Sequence, residues 1–363
     1  MIEKVLKLLQ FLPVKKNRIC LLCFDGSKIG WDAKAIVDYV NDNHLNYEMV
    51  WLVKGKEQQN AFHLDHVQFR IYKSLAGIIA LMTSKYVIYN IRVPQEVPFR
   101  KEQVLINTWH GFAFKKVGKY TDGFSLENLN RANAMTSHAA YYTEHVLKDS
   151  FEFKGDILTC GVPRNDIFFS DSRKRKAAGK AREELGIPAD HKVVLYAPTF
   201  REGNIMPESQ LNIRMLKESL QQRFGGTWDV VYRLHPIAKK APGLDLTGCI
   251  DGSDYDDMQE LLCLADVLIT DYSSSMWDFS LQYKPVFLFA DDVDAYEQER
   301  GFEVSIKDTP YIIAQNNEEM RQVVLDFDEE QYRKNTVEFF EKMGCFDEGK
   351  ACQMIFDYIK DRS

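Results

Sequence analysis

The chain contains 363 residues, which is long enough for two domains with separate hydrophobic cores. Hydrophobic residues make up 45% of it and charged residues 27%, as in ordinary soluble globular proteins, and its net charge of −7 argues against a nucleic-acid-binding protein that relies on bulk positive charge. No apolar run is long enough to span a bilayer and no secretory signal is recognisable, so we expect a cytoplasmic location.

The first 16 residues predict a short amphipathic helix. Apolar residues recur at roughly helical spacing from Ile2 to Leu12, with Lys4 and Lys7 between them, and a basic cluster follows at residues 15–18. Such a segment either lies in the interface of an anionic membrane or packs on the protein's own core. We expect residues 1–16 to form an interfacial helix that holds the protein on the inner face of the cell membrane.

Residues 17–186 alternate between strand and helix patterns and predict a first Rossmann-like domain. The predicted strands are 18–24, 47–53, 86–90, 104–108, 135–138 and 156–160, and the predicted helices are 32–42, 74–83, 141–149 and 172–185. This alternation favours a parallel sheet with helices on both faces. Gly186 and Pro188 end the last, highly charged helix and predict a domain boundary there.

Residues 187–363 repeat the alternation and predict a second Rossmann-like domain with C-terminal helices. The predicted strands are 192–196, 228–234, 248–250, 267–270 and 285–289, and the predicted helices are 211–224, 258–264, one from Ser274, and a helical tail over 329–360. The sequence therefore predicts an α/β fold with two doubly wound domains that face each other across a cleft. This GT-B-like arrangement is typical of nucleotide-sugar transferases.

A serine-rich turn after the predicted strand Val267–Thr270 is the most informative feature of the second domain. Ser273, Ser274 and Ser275 precede a helical pattern. A helix that begins here offers backbone N–H groups without partners, the positive end of its dipole and several hydroxyl groups, all of which suit a phosphate. Serines are also ordinary helix caps, so capping alone is the alternative interpretation.

Polar residues follow three other predicted strands. They are His110 after strand 104–108, His235 after strand 228–234, and Thr199 with Arg201 after strand 192–196. In open α/β sheets the ligand binds outside the carboxyl ends of the strands. A single histidine at a strand end is more often a structural residue, but the recurrence at several strand ends predicts a ligand site.

Six short motifs occur in order along the chain. They are Thr108–Gly118 (T-W-H-G…K-K-x-G), Gly161–Asp166 (G-x-P-R-N-D), Tyr196–Arg201 (Y-A-P-T-F-R), Arg233–Pro236 (R-x-H-P), Thr270–Asp278 (T-D-Y-S-S…D) and Asp292–Phe302 (D-x-D-x-Y…R-G-F). This set resembles the CDP-glycerol glycerophosphotransferase family of teichoic-acid and capsule synthesis. Phe112 and Ala113 depart from the family, which usually carries a small polar residue and a proline there.

The resemblance implies a phosphotransferase. A polyol phosphate, glycerol or ribitol phosphate, moves from a CDP-polyol to an acceptor hydroxyl on a lipid-linked or polymeric glycan, and CMP is released. The attacking alcohol needs a base, and the charge on the diphosphate needs cations or strong donors. By resemblance, His110 is the catalytic base and His235 donates to the phosphate oxygens. The first domain would then serve the acceptor and the second would bind the CDP-donor.

The other site residues fall into two groups. Donor and phosphate binding is expected of Arg233, Thr270, Asp271, Ser273, Ser274, Ser275, Arg201 and Thr199. Acceptor or phosphate contacts are expected of Gly111, Lys115, Lys116, Arg164 and Asn165. The competing interpretations are an ion pair with a surface acid for Arg233 and a solvated side chain for at least one of the two lysines.

The acidic runs Asp254–Asp257 and Asp291–Asp294 suggest metal ligands, but loop carboxylates are usually solvated or cap helices. Cys20 and Cys23 lie three residues apart in an apolar strand, where they point to opposite faces and cannot share a metal. We therefore expect no cofactor, no essential divalent metal and no nucleic-acid partner. A homo-oligomer is left open.

Two other classes of function stay open. A GT-B glycosyltransferase that uses a nucleotide sugar would share the serine turn, and donor screening would separate it from a phosphotransferase. A non-catalytic subunit that binds a nucleotide or polymer within a synthase complex is the second. Loss of either strand-end histidine would favour that class, but both histidines are present.

Overall fold

The computed structural model describes residues 2–56, 58, 64–199, 210–234 and 247–362. They form two compact units. The first contains Met1–His110, Val117–Phe169 and Cys345–Ser363, and the second contains Gly111–Lys116 and Ser170–Gly344. The predicted division after residue 186 differs from the observed one in three places. Gly111–Lys116 and residues 170–186 belong to the second unit, and Cys345–Ser363 belongs to the first.

Among the described residues, seven parallel strands form the sheet of the first unit. They are β1 (Lys15–Leu22), β2 (Glu48–Val53), β3 (Val67–Ile71), β4 (Ser84–Tyr89), β5 (Val104–Asn107), β6 (Ala134–Thr136) and β7 (Asp156–Leu158). Their order across the sheet is β3-β2-β1-β4-β5-β6-β7. Nearly every residue of β2, β4 and β5 is buried, as expected for a parallel sheet that is covered on both faces.

Helices cover the faces of this sheet. They are α1 (Ile2–Leu9), α2 (Trp31–Asp42), α3 (Leu75–Thr83), α4 (Leu126–Leu129) and α5 (Ala140–Tyr142), which continues in π-helical form over Thr143–Ser150. The apolar stripe of α2 is buried through Ile36, Val37 and Val40, as its helical periodicity predicts. The motif Gly161–Asp166 leads into a 3-10 helix over Pro163–Phe169.

The described part of the second unit contains six parallel strands. They are β8 (Lys192–Tyr196), β9 (Trp228–Tyr232), β10 (Cys249–Asp251), β11 (Val267–Thr270), β12 (Val286–Phe289) and β13 (Ile312–Ala314), in the order β10-β9-β8-β11-β12-β13. Its helices are α6 (Asp171–Glu184), α7 (Ile213–Phe224), α8 (Met258–Leu264), α9 (Ser275–Ser280), α10 (Val293–Arg300), α11 (Asn317–Leu325) and α12 (Glu329–Met343). Helix α6 belongs here because it packs along α8, where Lys180 pairs with Glu260 at 2.8 Å.

The C-terminal residues return to the first unit. Helix α13 (Ala351–Lys360) stacks the ring of Phe356 on that of Tyr39 at 5.2 Å. The carboxylate of Asp166 accepts the backbone N–H groups of Ala351 and Cys352 at 2.9 and 2.8 Å, which fixes the start of the helix. The predicted helical tail is present, but its last helix completes the core of the first unit.

The two sheets share one strand order. In each unit the chain builds three strands outward from the centre and then continues on the other side of the first strand. The point where the order reverses lies between β1 and β4 in the first unit and between β8 and β11 in the second. Ligands of doubly wound folds bind at the carboxyl ends of such strand pairs. The predicted α/β class with two doubly wound sheets is confirmed.

Helix α1 is present where the sequence predicts it. Leu6 is buried, whereas Leu8, Phe11 and Leu12 are exposed, so only part of the apolar stripe packs on the protein. Within the described residues, no helix combines the length and the hydropathy that a membrane crossing requires.

Candidate active site

The carboxyl end of β5 turns abruptly and presents His110. The side-chain Oδ1 of Asn107 accepts the backbone N–H of Trp109 at 2.8 Å. Trp109 has a φ of 54°, a left-handed conformation that is rare for a bulky residue, and its ring packs edge-on against Phe151 at 4.7 Å. The hydrogen bond and the buried ring hold this strained turn, and the predicted position of His110 at a strand end is observed.

The imidazole of His110 is oriented and neutral. Its Nδ1 lies 3.3 Å from the backbone oxygen of Asn90, which can only accept, so Nδ1 carries the proton and Nε2 carries the lone pair. Burial, assisted by the positive charge of Arg164, lowers the pKa of His110 to about 4, although the bond to Asn90 acts in the opposite direction. A neutral imidazole with its lone pair on Nε2 is the form that a general base requires.

Asn90 is a neighbour of His110 that the sequence patterns do not predict as a site residue. Its side-chain Oδ1 accepts the backbone N–H of Phe24 at 2.9 Å, and its Nδ2 lies 3.5 Å from Sγ of Cys23. Asn90 therefore joins the ends of β1 and β4 at the point where the strand order reverses. The signal in the sequence is a polar residue that closes an apolar strand, at the same position as Asp271 in the second unit.

The segment Gly111–Lys116 follows His110 directly but is built into the second unit. The ring of Phe112 stacks on that of Trp277, with 4.0 Å between centroids and 9° between planes. Ala113 is buried beside it. The two residues that depart from the family pattern are therefore core residues of the second unit. The stacking of Phe112 on Trp277 anchors this segment in the second unit.

Gly111 lies directly against the serine turn. A Cβ atom at this position would collide with the hydroxyl of Ser274 and would lie 2.8 Å from its Cβ. Only glycine fits this approach. The contact between Gly111 and Ser274 lies within the second unit.

The two lysines of the histidine motif have different surroundings. Lys115 is half-buried, forms an isolated antiparallel bridge with Phe302, and places its Nζ 5.0 Å above the ring of Tyr296. Lys116 is exposed, and its backbone N–H donates to the oxygen of Gly301 at 3.2 Å. Lys115 is thus an oriented cation, and Lys116 is the lysine that faces solvent.

Two of the predicted donor contacts hold the serine turn to the sheet. The hydroxyl of Thr270 donates to the backbone oxygen of Ala197 at 2.7 Å. Oδ1 of Asp271 accepts the backbone N–H groups of Thr199 at 2.9 Å and Tyr272 at 2.6 Å. Both side chains are buried, so they position Thr199 and the turn.

The three serines divide into two roles. Oγ of Ser273 accepts the backbone N–H of Ser275 at 3.2 Å and its hydroxyl at 2.9 Å, and Ser275 is buried. Ser273 and Ser274 are half-buried, and the side chain of Ser274 makes no capping hydrogen bond to α9. Local hydrogen bonding at the start of the helix therefore accounts for the presence of Ser275 and partly for that of Ser273. It does not account for Ser274, which lies at the surface of the turn.

Arg233 follows β9 at the same edge of the sheet. Its backbone N–H donates to the oxygen of Tyr196 at 2.9 Å, and its Nη1 donates to the oxygen of Tyr255 at 2.6 Å. Burial lowers the pKa of Arg233, whereas the nearby carboxylates of Asp257 and Asp256 raise it. Arg233 remains a cation, and its guanidinium is anchored through a backbone carbonyl.

Arg164 and Asn165, of which we expect acceptor or phosphate contacts, lie in the core of the first unit. The guanidinium of Arg164 pairs with Asp32 at 3.1 Å, and both side chains are 1% exposed. Nδ2 of Asn165 donates to Asp347 at 3.3 Å. With Asp166 at the start of α13, this motif binds the C-terminal segment to the first unit. In this structure both side chains have protein partners, and the acceptor or phosphate contacts expected of them stay a prediction.

His235 and Arg201 lie outside the residues that the structure describes. In the described ranges, no group of three or more His, Cys, Asp or Glu residues could hold a metal ion. Members of the two acidic runs have protein partners instead: Asp257 caps α8 through the N–H of Gln259 at 2.9 Å, and Asp292 accepts the hydroxyl of Tyr272 at 2.7 Å. The expectation that the reaction needs no metal or cofactor stays a prediction.

The chain is similar to known proteins of teichoic-acid synthesis. The sequence model described as CDP-glycerol:poly(glycerophosphate) glycerophosphotransferase matches residues 5–361. A teichoic acid poly(glycerol phosphate) polymerase of Bacillus spizizenii is 26% identical over 98% of this chain and 95% of its own length. A teichoic acid glycerol-phosphate transferase of Staphylococcus aureus is 29% identical over 97% of this chain and 95% of its own length.

The fold is likewise similar to solved structures. The wall teichoic acid polymerase TagF superimposes with a TM-score of 0.85 and 27% identity over 99% of this chain and 93% of the other. A variant of TagF soaked with CDPG gives a TM-score of 0.85 at 26% identity and the same coverage. The likeness extends over both doubly wound units and agrees with the predicted GT-B-like class.

Proposed function

We propose a specific reaction for this chain from the premise that it belongs to the CDP-glycerol:poly(glycerophosphate) glycerophosphotransferase family, whose sequence model spans nearly all of it. The chain is a phosphotransferase that moves a polyol phosphate from a CDP-polyol to an acceptor hydroxyl and releases CMP. We propose glycerol phosphate as the transferred group. The two glycerol-phosphate relatives are 26% and 29% identical over 98% and 97% of this chain, whereas the ribitol-phosphate polymerase of Bacillus spizizenii is 24% identical over 96% of it.

His110 is the proposed general base. The observation that carries this role is the pair of features at its ring: Nδ1 is held by the Asn90 carbonyl, and burial keeps the imidazole neutral. Nε2 takes the proton of the acceptor hydroxyl while the acceptor oxygen bonds to the β-phosphorus. The bond from that phosphorus to the bridging oxygen breaks, and CMP leaves with the electron pair.

The second unit is proposed to bind the diphosphate. Ser273 and Ser274 supply hydroxyl donors, and Lys115 and Arg233 supply positive charge at strand ends or beside them. His235, a further strand-end residue of the family pattern, is proposed as another donor to the phosphate oxygens. Donors and cations that are fixed before the reaction stabilise the charge that develops on the leaving CMP. We propose that these groups, without an essential metal, are sufficient.

The proposed acceptor is a lipid-linked or polymeric glycan at the inner face of the cell membrane. The exposed apolar residues Leu8, Phe11 and Leu12, together with the exposed Lys7 and Lys15, support a peripheral position on that membrane. The chain would then work on a substrate that is anchored in the same bilayer.

One assay tests the reaction class and the donor together. The protein is incubated with a lipid-linked glycerol-phosphate acceptor and with CDP-glycerol, CDP-ribitol or UDP-glucose, and released CMP and UDP are measured. We expect acceptor-dependent release of CMP from CDP-glycerol, and release that is slower by about a hundredfold or more from a His110→Ala variant. Release of UDP would indicate a glycosyltransferase. Binding of CDP-glycerol without release of CMP, in a protein with intact histidines, would indicate a non-catalytic subunit.

A further inference from the structure

Three lysines lie at the carboxyl ends of neighbouring strands in the first unit. Lys54 and Lys56 follow β2, Lys73 follows β3, and all three are exposed. Within the described part of the chain none of them forms an ion pair. Because the strands of this sheet are parallel, the lysines lie at the same edge as His110, which follows β5. We call Lys54, Lys56 and Lys73 the basic surface.

The acidic groups near this surface do not cancel its charge. Burial raises the pKa of Tyr72 to about 12, and the nearby carboxylates of Asp25 and Glu96 contribute to this shift. Asp25 is bound by Arg92 at 2.7 Å, which leaves Glu96 as the one of these two acids that has no cationic partner among the described residues. Lys73, whose Nζ lies 5.5 Å above the ring of Tyr72, stays charged. The basic surface therefore keeps a net positive charge.

Backbone hydrogen bonds fix the loops that carry the lysines. The N–H of Lys54 donates to the oxygen of Gly26, after β1, at 2.6 Å. The N–H of Tyr72, after β3, donates to the oxygen of Val53 at 2.6 Å. The side-chain Oε1 of Gln58 also accepts the N–H of Lys54, at 3.0 Å. The ends of β1, β2 and β3 thus form one surface that a ligand does not have to order when it binds.

The same series of contacts continues to the proposed base. The N–H of Phe24, after β1, donates to Oδ1 of Asn90, whose backbone oxygen lies 3.3 Å from Nδ1 of His110. The ring of Phe24 lies 5.8 Å from that of His110 and 5.0 Å from that of Trp31, and both Phe24 and Trp31 are half-buried. Four strand spacings separate β5 from β3, which is about 19 Å. A ligand that extends from His110 along the strand ends passes these rings first and then the lysines.

We propose that the basic surface binds the phosphodiester groups of an anionic polymer acceptor whose terminal hydroxyl lies at His110. The proposal rests on the proposed function, since repeated transfer to one acceptor gives a chain of glycerol phosphate units, and it adds the acceptor class. Phosphodiesters place negative charges at intervals along an extended molecule, and a row of exposed lysines complements them. An acceptor with a single glycerol phosphate unit ends before it reaches the lysines.

Lysines suit a chain that must move after each reaction. Their ammonium groups sit on flexible stems, and an exposed ion pair holds one geometry only weakly. Such contacts keep the polymer on the protein without fixing its register. The chain can therefore shift by one unit after each transfer, which returns its new terminal hydroxyl to His110, while the bound phosphodiesters hold that end at a high effective concentration.

An anionic bilayer would also attract three lysines, but it requires more than charge. An interfacial site combines basic groups with several exposed apolar side chains. Among the exposed large apolar residues in the described part of the chain, Leu75 alone lies next to one of these lysines in sequence. The basic surface is therefore better matched to a soluble polyanion.

The experiment measures binding and transfer separately with the full chain. Calorimetry without CDP-glycerol measures binding of a long glycerol phosphate oligomer that spans the distance from β5 to β3. CMP release measures KM and kcat for that oligomer and for an acceptor with one unit. The test variant replaces the basic surface by Lys54→Gln, Lys56→Gln and Lys73→Gln. The control variant replaces three exposed lysines near the amino ends of strands in the same unit by Lys16→Gln, Lys101→Gln and Lys154→Gln.

The test variant should bind the long oligomer about tenfold more weakly than the wild type, as expected for the loss of three exposed ion pairs. Wild-type affinity should fall as salt rises, because salt screens such pairs. In transfer, the wild type should have a lower KM for the long oligomer than for the single unit, and the test variant should lose most of this preference through KM with little change in kcat. The control variant should match the wild type, and equal melting temperatures would show that both variants are folded.

Two results would overturn the proposal. One is equal affinity of the test and control variants for the long oligomer. The other is a wild-type KM that does not depend on the length of the acceptor. Weaker binding of the test variant to phosphatidylglycerol vesicles, with unchanged affinity for the oligomer, would assign the lysines to a bilayer and would also overturn it. Binding of the oligomer that depends on the basic surface, without any release of CMP, would support the site and contradict the proposed function alone.

Discussion

The two units share one hydrogen-bonding arrangement at the point where their strand order reverses. In the first, Oδ1 of Asn90 after β4 accepts the N–H of Phe24 after β1 at 2.9 Å. In the second, Oδ1 of Asp271 after β11 accepts the N–H of Thr199 after β8 at 2.9 Å. In both sheets a short polar side chain ties together the two strand ends that border the ligand crevice of a doubly wound fold.

The difference between the two edges is their charge. Asn90 is neutral, and His110 next to it packs on Trp109 with 4.2 Å between ring centroids, so the neutral imidazole is favoured. Asp271 is a carboxylate that two backbone N–H groups solvate, and the cationic Arg233 follows another strand of the same sheet. We call the strand ends around Asn90 and His110 the apolar edge and those around Asp271 and Arg233 the charged edge. The proposed function assigns proton transfer to the apolar edge and diphosphate binding to the charged edge.

The largest expected effect tests the apolar edge. His110→Ala should lower the rate of CMP release by about a hundredfold to ten-thousandfold, because a lost general base costs that much. Affinity for CDP-glycerol, measured by calorimetry, should change little, since the donor is assigned to the charged edge. His145→Ala, an exposed histidine on the π-helical segment of the same unit, is the control. Near-normal turnover by a folded His110→Ala protein would remove this residue from the mechanism.

Gly111, which contacts the serine turn, should be almost as sensitive. Gly111→Ala places a Cβ against Ser274, so either the serine turn or the backbone of Gly111 must shift. A displacement of about 1 Å costs on the order of a hundredfold in rate. Gly179→Ala in α6, where a Cβ meets open space, should leave CMP release unchanged and stabilise the helix by about 1 kcal/mol. Equal rates for the two alanine variants would show that the Gly111 contact does not matter for the reaction.

A smaller effect is expected at the charged edge. Ser273→Ala combined with Ser274→Ala should weaken CDP-glycerol binding by about tenfold to a hundredfold, because each hydrogen bond to a charged group contributes about 1.5–3 kcal/mol and some are replaced by water. Ser125→Ala removes an ordinary cap, since Ser125 accepts the N–H of Asn128 at 3.1 Å, and should lower only stability. If the double variant behaves like Ser125→Ala in calorimetry and in melting, the serine turn is only a cap.

Much of the fold could be predicted from the sequence, because central strands and amphipathic helices leave local patterns. The strands that were missed, Val67–Ile71 and Ile312–Ala314, lie at the edges of their sheets. Edge strands are only partly buried and so lack a continuous apolar run. The return of the C-terminal helix was also missed, because it depends on Asp166 binding backbone N–H groups 185 and 186 residues away. No local pattern records such a pairing.

The candidate site was predicted in part for a similar reason. Strand-end positions such as those of His110 and Ser274 follow from local patterns and from strand direction. Local patterns do not show whether a polar residue faces the crevice or the core. Arg164 is an example, because its ion pair with Asp32 joins residues that lie 132 positions apart. Asn90 cannot be predicted as a site residue, because an asparagine at a strand end has no distinctive spacing. Comparison of the two units identifies Asn90, because Asp271 has the same position in the second unit.

The smallest expected effect comes from Asn90→Asp, which gives the apolar edge a carboxylate like that of Asp271 at the charged edge. In the wild-type protein, CMP release should fall as the pH decreases through about 4, because the imidazole of His110 becomes protonated near its pKa of about 4 and loses its lone pair. Asn90→Asp keeps an acceptor for the N–H of Phe24 but introduces a negative charge, which favours the protonated imidazole and raises its pKa by about one unit or more. The acidic limb of the rate profile should move to higher pH by the same amount, while the rate at neutral pH stays close to that of the wild type because His110 is still neutral there.

Cys23→Ala is the control, since it removes the contact between Asn90 and the Cys23 sulfur without adding charge, and its acidic limb should stay in place. An acidic limb that does not move in Asn90→Asp would mean that the group titrating in the rate profile is not His110.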